Sequence, residues 1–271
     1  MTRGARIAAA VTWACLGWAA GLQAALPAQE AQSLFAEANK TFGTAHTEAD
    51  PEAQRQLYHT AALQYERLIR EGGIHNARLY YNLANAYLLT GDLGRAVLNY
   101  RRAERIDGGD VHIQKNLAFA RSRRLDMIPV RTEQQVLQTL LFWHYDLSLK
   151  TRFLVACLAC ACVLLALTAM VWLGPGRPIL TTAGIAGLVL ACAAASVIVE
   201  VGQQRGTVDG VITAAQVVAR QGDGPNYPES FKAPLHAGTE FQLIERRPDW
   251  LHIQLTDGSD GWIPKEAAET L

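Results

Sequence analysis

The chain has 271 residues, of which 50% are apolar and 18% charged, and its 25 basic residues balance its 25 acidic ones. This length allows two small domains, but the apolar residues are too many and too unevenly distributed for one soluble globule. The neutral balance gives no electrostatic reason to expect nucleic acid as a partner.

Residues 1–28 have the layout of a secretory signal peptide. Arg3 and Arg6 precede an apolar run from residue 7 to about residue 22, which ends in Ala-rich sequence. The residues at the expected cleavage positions fit imperfectly, so an uncleaved N-terminal anchor is the alternative. Either form is expected to place the following residues across a membrane.

Residues 29–128 are predicted to form an all-α domain built from helix pairs. Tyr80, Leu83 and Tyr87 recur at i, i+3 and i+7, which is one face of a helix. Gly91 then breaks the pattern, and a second helix follows. One face of this second helix carries Ala96, Tyr100 and Ala103. Four arginines are expected to stay on its outer side: Arg95, Arg101, Arg102 and Arg105.

This spacing resembles the tetratricopeptide repeat, W-x2-L-G-x2-Y…A-x3-F…P. The matching residues, in the order of that pattern, are Tyr80, Leu83, Ala84, Tyr87, Ala96 and Tyr100, with Gly108 in place of the Pro. The resemblance implies helix pairs stacked into an array, in which each pair needs a neighbour to bury its apolar face.

Neighbouring copies of the pattern are present on both sides. Upstream, Ala61 and Tyr65 lie 35 residues before their counterparts, close to the repeat period of about 34. An insert at residues 46–55 lengthens this first copy, and Asp50 followed by Pro51 predicts a helix start inside it. Downstream, residues 113–124 are predicted to form one more helix that caps the array.

One face of the best-matching helix is predicted to bind a protein partner. It lies opposite the core aromatics and carries Arg78, Asn82, Asn85 and Leu89. Amide side chains suit hydrogen bonds to a partner's backbone, and Arg78 suits a carboxylate. Lys115 and Asn116 on the next helix would extend the surface. The alternative is an ordinary solvated face or a contact with the neighbouring repeat.

Two apolar segments, residues 153–173 and 179–201, are each long enough to cross a membrane. The Gly/Pro-rich linker between them predicts a transmembrane hairpin, with both flanking domains on the same side. Residues 129–152 form an amphipathic juxtamembrane segment whose aromatics fit either a membrane interface or packing on the repeats. The signal peptide favours a bacterial inner membrane protein whose two soluble domains lie on the extracytoplasmic side. The basic residues around the hairpin favour the opposite orientation.

Residues 210–271 are predicted to form a small all-β domain. Short alternating runs at residues 217–219, 241–243, 251–255 and 261–263 are separated by turn sequences. They resemble the bacterial SH3-like family through Gly238-Thr239-Glu240-Phe241, Asp249-Trp250-Leu251-His252-Ile253 and Gly261-Trp262-Ile263-Pro264. The resemblance implies a small barrel. Its candidate ligand platform consists of Tyr227, Trp250 and Trp262, although Trp262 is also expected as a plug at one barrel end.

The whole order of segments resembles the E component of the Bacteroides aerotolerance (Bat) operon, or BatE-like proteins. That resemblance implies a multidomain, membrane-anchored scaffold. It also implies two kinds of partner, von Willebrand A-type membrane proteins and a MoxR-type AAA+ ATPase, and a role in envelope stress or aerotolerance. The alternative is a cell-wall-associated protein whose SH3-like domain binds peptidoglycan or wall peptides.

The sequence contains no recognisable catalytic motif, so the chain is not expected to be an enzyme. A two-His zinc helix, a G-x-S-x-G elbow and a phosphate-binding Gly-rich loop are all missing. The five cysteines lie in apolar segments, which argues against a disulfide framework. We therefore expect no catalytic, metal or cofactor site.

Overall fold

The computed structural model describes residues 26–129, 149–206 and 208–271. Residues 1–25 of the predicted signal peptide and most of the predicted juxtamembrane segment lie outside the described residues. The described chain is mostly helical, with a small antiparallel sheet near the C-terminus. It divides into two compact units, Met1–Asp92 and Leu93–Leu271.

The first unit contains helices α1 (Ala28–Thr47), α2 (Pro51–Arg70) and α3 (Ala77–Thr90). The predicted helix start at Asp50 is confirmed, because its carboxylate accepts hydrogen bonds from the backbone N–H groups of Glu52 and Ala53. Helix α3 ends at Gly91, whose φ of 87° is a left-handed conformation that glycine adopts without strain. Local residues therefore define these helix ends.

The core of the first unit combines small and aromatic side chains. Helix α2 packs against both α1 and α3. Fully buried alanines allow the helices to approach closely, and these are Ala38, Ala45, Ala61, Ala62, Ala84 and Ala86. Aromatic rings fill the space between α1 and α2, with ring centroids 6.2 Å apart for Phe35 and Tyr65 and 5.1 Å apart for Phe42 and Tyr58.

The second unit begins with helices α4 (Leu93–Ile106) and α5 (Val111–Ser122), which pack against each other. The predicted apolar face of α4 is buried. Asp110 caps α5 by accepting hydrogen bonds from the N–H groups of His112 and Ile113. The predicted last helix at residues 113–124 therefore begins two residues earlier and ends at Ser122.

Helices α6 (Leu149–Leu173) and α7 (Arg177–Gly206) pack against each other along their length. Their segments Thr151–Leu173 and Arg177–Val199 are long and apolar enough to cross a membrane. Arg152 donates from Nη1 to Ser196 Oγ at 2.9 Å between the two helices, and both side chains are buried. Arg177 and Pro178, expected in the turn, are instead the first residues of α7, where a proline is tolerated.

Residues 208–271, called the sheet domain below, contain seven short strands. These are β1 (Val208–Ile212), β2 (Gln216–Val217), β3 (Leu235–His236), β4 (Glu240–Arg246), β5 (Trp250–Gln254), β6 (Asp260–Pro264) and β7 (Ala268–Thr270). One antiparallel sheet has the order β6-β5-β4-β1-β7, and β2 pairs with β3. Three predicted runs correspond to β4, β5 and β6, whereas the run at residues 217–219 shares only Val217 with β2. Strands β1, β3 and β7 were not predicted.

The sheet domain has its own hydrophobic core. Its largest fully buried side chains are Ile212, Leu251, Ile253, Ile263 and Val211. Strand β1 lies between β4 and β7 and pairs with both. The turn before β4 contains Gly238, whose φ of 89° is again a conformation that favours glycine. Helices α4 and α5 and the residues after α5 contact this turn and the start of β4.

Candidate interaction site

The predicted partner-binding face on α3 is only partly free. Arg78 and Leu89 are exposed, whereas Asn82 and Asn85 are half-buried. Asn82 Nδ2 donates to Asn39 Oδ1 at 3.3 Å, and the Tyr65 hydroxyl donates to the same oxygen at 2.8 Å. Asn82 therefore contacts the neighbouring helix pair, which was the alternative interpretation, while Arg78 remains available to a partner.

A cavity of about 530 Å³ opens beside Arg78 in the first unit. Its walls are mainly apolar and come from the start of α1, the end of α2 and the start of α3. Three polar side chains, Gln32, Asn76 and Arg78, also line it. The cavity can accept an apolar side chain, with one guanidinium beside it for a carboxylate.

Lys115 and Asn116, predicted to extend the same surface, lie on α5 in the second unit. Lys115 is exposed, and Asn116 is half-buried. Their participation in partner binding stays a prediction.

The three residues of the predicted aromatic platform differ in exposure. Tyr227 is exposed and Trp250 is half-buried, but Trp262 is only 8% exposed. The Trp262 ring stacks on the ring of His252 with centroids 4.7 Å apart, and the guanidinium carbon of Arg247 lies 4.5 Å from its centroid. Trp262 thus has two partners within the domain. Ligand binding at this platform stays a prediction.

Three arginines surround Glu240 at the start of β4, a cluster that was not predicted from the sequence. Arg121 binds the carboxylate through two hydrogen bonds, from Nε at 2.8 Å and from Nη2 at 2.7 Å. Arg124 donates from Nη1 at 3.0 Å, and Arg101 Nε lies 3.1 Å from Oε1. The Glu240 side chain is 17% exposed, so these ion pairs are largely shielded from water.

Two opposing effects determine the pKa of Glu240. Burial raises it, because a charged carboxylate loses its hydration. The hydrogen bonds and positive charge of Arg121, together with the charges of Arg101 and Arg124, outweigh burial and hold the pKa below its ordinary value. Glu240 is therefore ionised at neutral pH, and the contact is a charged one.

Further ion pairs extend this contact from β4 to strands β1 and β7. Arg101 donates from Nη2 to Asp209 of β1 at 3.0 Å. Arg102 donates to Glu269 of β7 at 3.2 Å and to the carbonyl oxygen of Thr270 at 3.1 Å. The expectation that Arg101 and Arg102 stay on the outer side of the helix is wrong, because acidic residues of the sheet domain cover them.

At Gly94, helix α4 packs tightly against the end of strand β1. A Cβ atom at this position would lie 2.8 Å from the carbonyl oxygen of Ile212 and 2.8 Å from the Cα of Thr213. Both are backbone atoms, which cannot move aside as a side chain can. The absence of a side chain at residue 94 is therefore required by the end of strand β1.

Within the described residues, no group of three or more His, Cys, Asp or Glu side chains is arranged to hold a metal ion. Comparison with protein-family models and with curated proteins finds no match to this chain. The family resemblances therefore depend on the residues quoted above.

Proposed function

We propose that the chain is a non-enzymatic, membrane-anchored scaffold that binds a protein partner through the face and cavity beside Arg78. The observation that carries this proposal is an exposed guanidinium at the rim of a mainly apolar cavity. A partner segment with an apolar side chain and a nearby carboxylate would complement both features.

We also propose a family for the helix pairs and for the sheet domain, and a membrane location for helices α6 and α7. The helix pairs are tetratricopeptide repeats, supported by buried alanines and aromatics at the signature positions. The sheet domain is a bacterial SH3-like barrel, supported by its short antiparallel strands and buried Trp262. Helices α6 and α7 anchor both in a bacterial inner membrane, with the soluble parts on the extracytoplasmic side.

The partners we propose follow from the resemblance to the E component of the Bacteroides aerotolerance operon. They are von Willebrand A-type membrane proteins and a MoxR-type AAA+ ATPase. In this role the chain would hold partners together at the membrane during envelope stress.

Crosslinking and affinity capture from native membranes test the proposal. Arg78→Glu reverses the charge at the cavity, and Arg70→Glu is the matched control because Arg70 is also exposed but does not line the cavity. We expect the intact chain and the Arg70→Glu variant to capture a von Willebrand A-type protein or the ATPase, and Arg78→Glu to lose it. Capture by Arg78→Glu would exclude this face, and capture of neither partner by the intact chain would contradict the scaffold.

A further inference from the structure

Residues 124–128, which follow helix α5 and its cap residue Arg123, lie against the sheet domain without forming a helix or a strand. Arg124, Asp126 and Ile128 are half-buried. Leu125 and Met127 between them are 76% and 78% exposed. Alternate side chains therefore face the sheet domain and the solvent, which is the pattern of a peptide bound in extended conformation.

Asp126 makes the central contact of this segment. Its Oδ2 accepts hydrogen bonds from the backbone N–H of His236 at 2.6 Å and from the hydroxyl of Thr239 at 2.7 Å. Its Oδ1 lies 2.8 Å from His236 Nδ1. The turn between β3 and β4 thus surrounds one carboxylate with three polar groups, which fixes the position of residue 126 on the domain.

The two flanking side chains add a charged and an apolar contact. Arg124 reaches Glu240 at 3.0 Å, and its Cγ lies 3.2 Å from the position that a Cβ of Gly238 would occupy. Ile128 packs against the hydrophobic core of the sheet domain. Together the three side chains span the turn and the adjoining edge of the core.

We propose that the turn from His236 to Glu240 and the adjoining core edge form a peptide-binding site, and that residues 124–128 of this chain are its ligand. The chemistry recognised is a basic residue, an acidic residue two positions later and an aliphatic residue two positions after that. This site is distinct from the aromatic platform at Trp262 and is independent of any partner bound at Arg78.

Because the ligand is part of the same chain, its effective concentration at the site is on the order of millimolar. A separate peptide of the same sequence can therefore enter only when the internal contact is weakened. Occupation of the site also fixes the chain at Ile128, shortly before the residues that lead to helix α6.

Hydrogen exchange on the full-length chain in detergent tests whether residues 124–128 occupy the turn from His236 to Glu240. Asp126→Ala should accelerate exchange at residues 235–240 at least tenfold, because the His236 amide loses its acceptor. Met127→Ala removes an exposed neighbour and should leave these rates unchanged. Unchanged rates in Asp126→Ala would overturn the proposal. If this variant exposes all seven strands, Asp126→Asn is measured instead, and exposure of all strands there too would assign the segment a purely structural role and overturn the site.

Binding of a labelled peptide of residues 122–129 tests whether the same turn can bind a separate peptide. Fluorescence anisotropy should report saturable binding to the Asp126→Ala chain and at least tenfold weaker binding to the unaltered chain, whose site is filled. The same peptide carrying Asp126→Asn should bind the variant chain at least tenfold more weakly. Equal binding of both peptides, or no binding to the variant chain, would overturn the peptide-binding site.

Discussion

Replacing Gly94 by alanine has two opposite effects on the stability of helix α4, a gain in helix propensity and a steric clash with strand β1. Alanine favours a helix over glycine by up to about 1 kcal/mol, so the change should stabilise an α4 helix that touches nothing at this position. In the structure, however, the added Cβ would lie 2.8 Å from two backbone atoms of the Ile212–Thr213 segment. One of the two elements must then move.

The cost of that movement should exceed the gain in helix propensity. Extra carbon atoms forced into a packed contact typically cost about 1 to 3 kcal/mol. Subtracting a gain of about 1 kcal/mol from that cost leaves a net destabilisation of up to about 2 kcal/mol. Gly43 in helix α1 is the matched control, because a Cβ there would meet nothing within 4 Å.

Local hydrogen exchange of the full-length chain is the suitable assay, since a chain with two units does not unfold in one step. Gly94→Ala should accelerate exchange in α4 and β1, whereas Gly43→Ala should slow exchange in α1. If Gly94→Ala instead slows exchange in α4 as Gly43→Ala does in α1, the claim that α4 packs tightly against the end of β1 is refuted.

Three further predictions concern charged and hydroxyl groups. Glu240→Gln should destabilise strand β4 by about 2 to 3 kcal/mol in hydrogen exchange, because three arginines lose their shared counter-charge. The exposed Glu245→Gln should cost less than about 1 kcal/mol, and equal effects would refute the reasoning. In acid, the contact between the helices and the sheet domain should weaken. Hydrogen bonds from Thr239 and His236 outweigh burial and lower the pKa of Asp126, and the pKa of Glu240 is also lowered. Their stabilisation is therefore complete above about pH 5 and is lost as the pH falls through the lowered values. Circular dichroism in the near ultraviolet can follow this loss, and a titration unaffected by Asp126→Asn would contradict the assignment. Burial raises the pKa of Tyr65 to about 12, so its contribution to stability is complete below about pH 10 and is lost as the pH rises towards the raised value. Absorbance of phenolate should show a late titration step that Tyr65→Phe removes, and persistence of that step would refute the assignment.

Features that depend on neighbouring residues could be predicted from the sequence. Asp50 and Pro51 mark a helix start because the cap and the first helical residue are adjacent in the chain. Gly91 marks a helix end for the same reason. The two long apolar helices follow from composition alone, and the small residues at repeat spacing indicate which helix faces are buried.

Contacts between distant residues gave no such signal. Arg121 and Glu240 are 119 positions apart, with both long apolar helices between them. An arginine with a glutamate three residues later, as in Arg101 and Glu104, is also the ordinary pattern of a solvated helix face. The neighbouring residues do not distinguish a helix face exposed to solvent from one that is covered by another part of the chain.

Strand β1 was missed for a related reason. Its sequence contains Asp209 and Gly210, two residue types that are depleted in strands. It forms a strand because β4 and β7 pair with it on both sides. Only the fold brings those partners together.

The junction between helix α7 and the sheet domain also determines how a mechanical load would be carried. Helix α7 ends at Gly206, and strand β1 begins at Val208, two residues later. A pull on the helices would therefore act on a strand that is hydrogen-bonded along both edges, so detaching it requires rupture of two ladders.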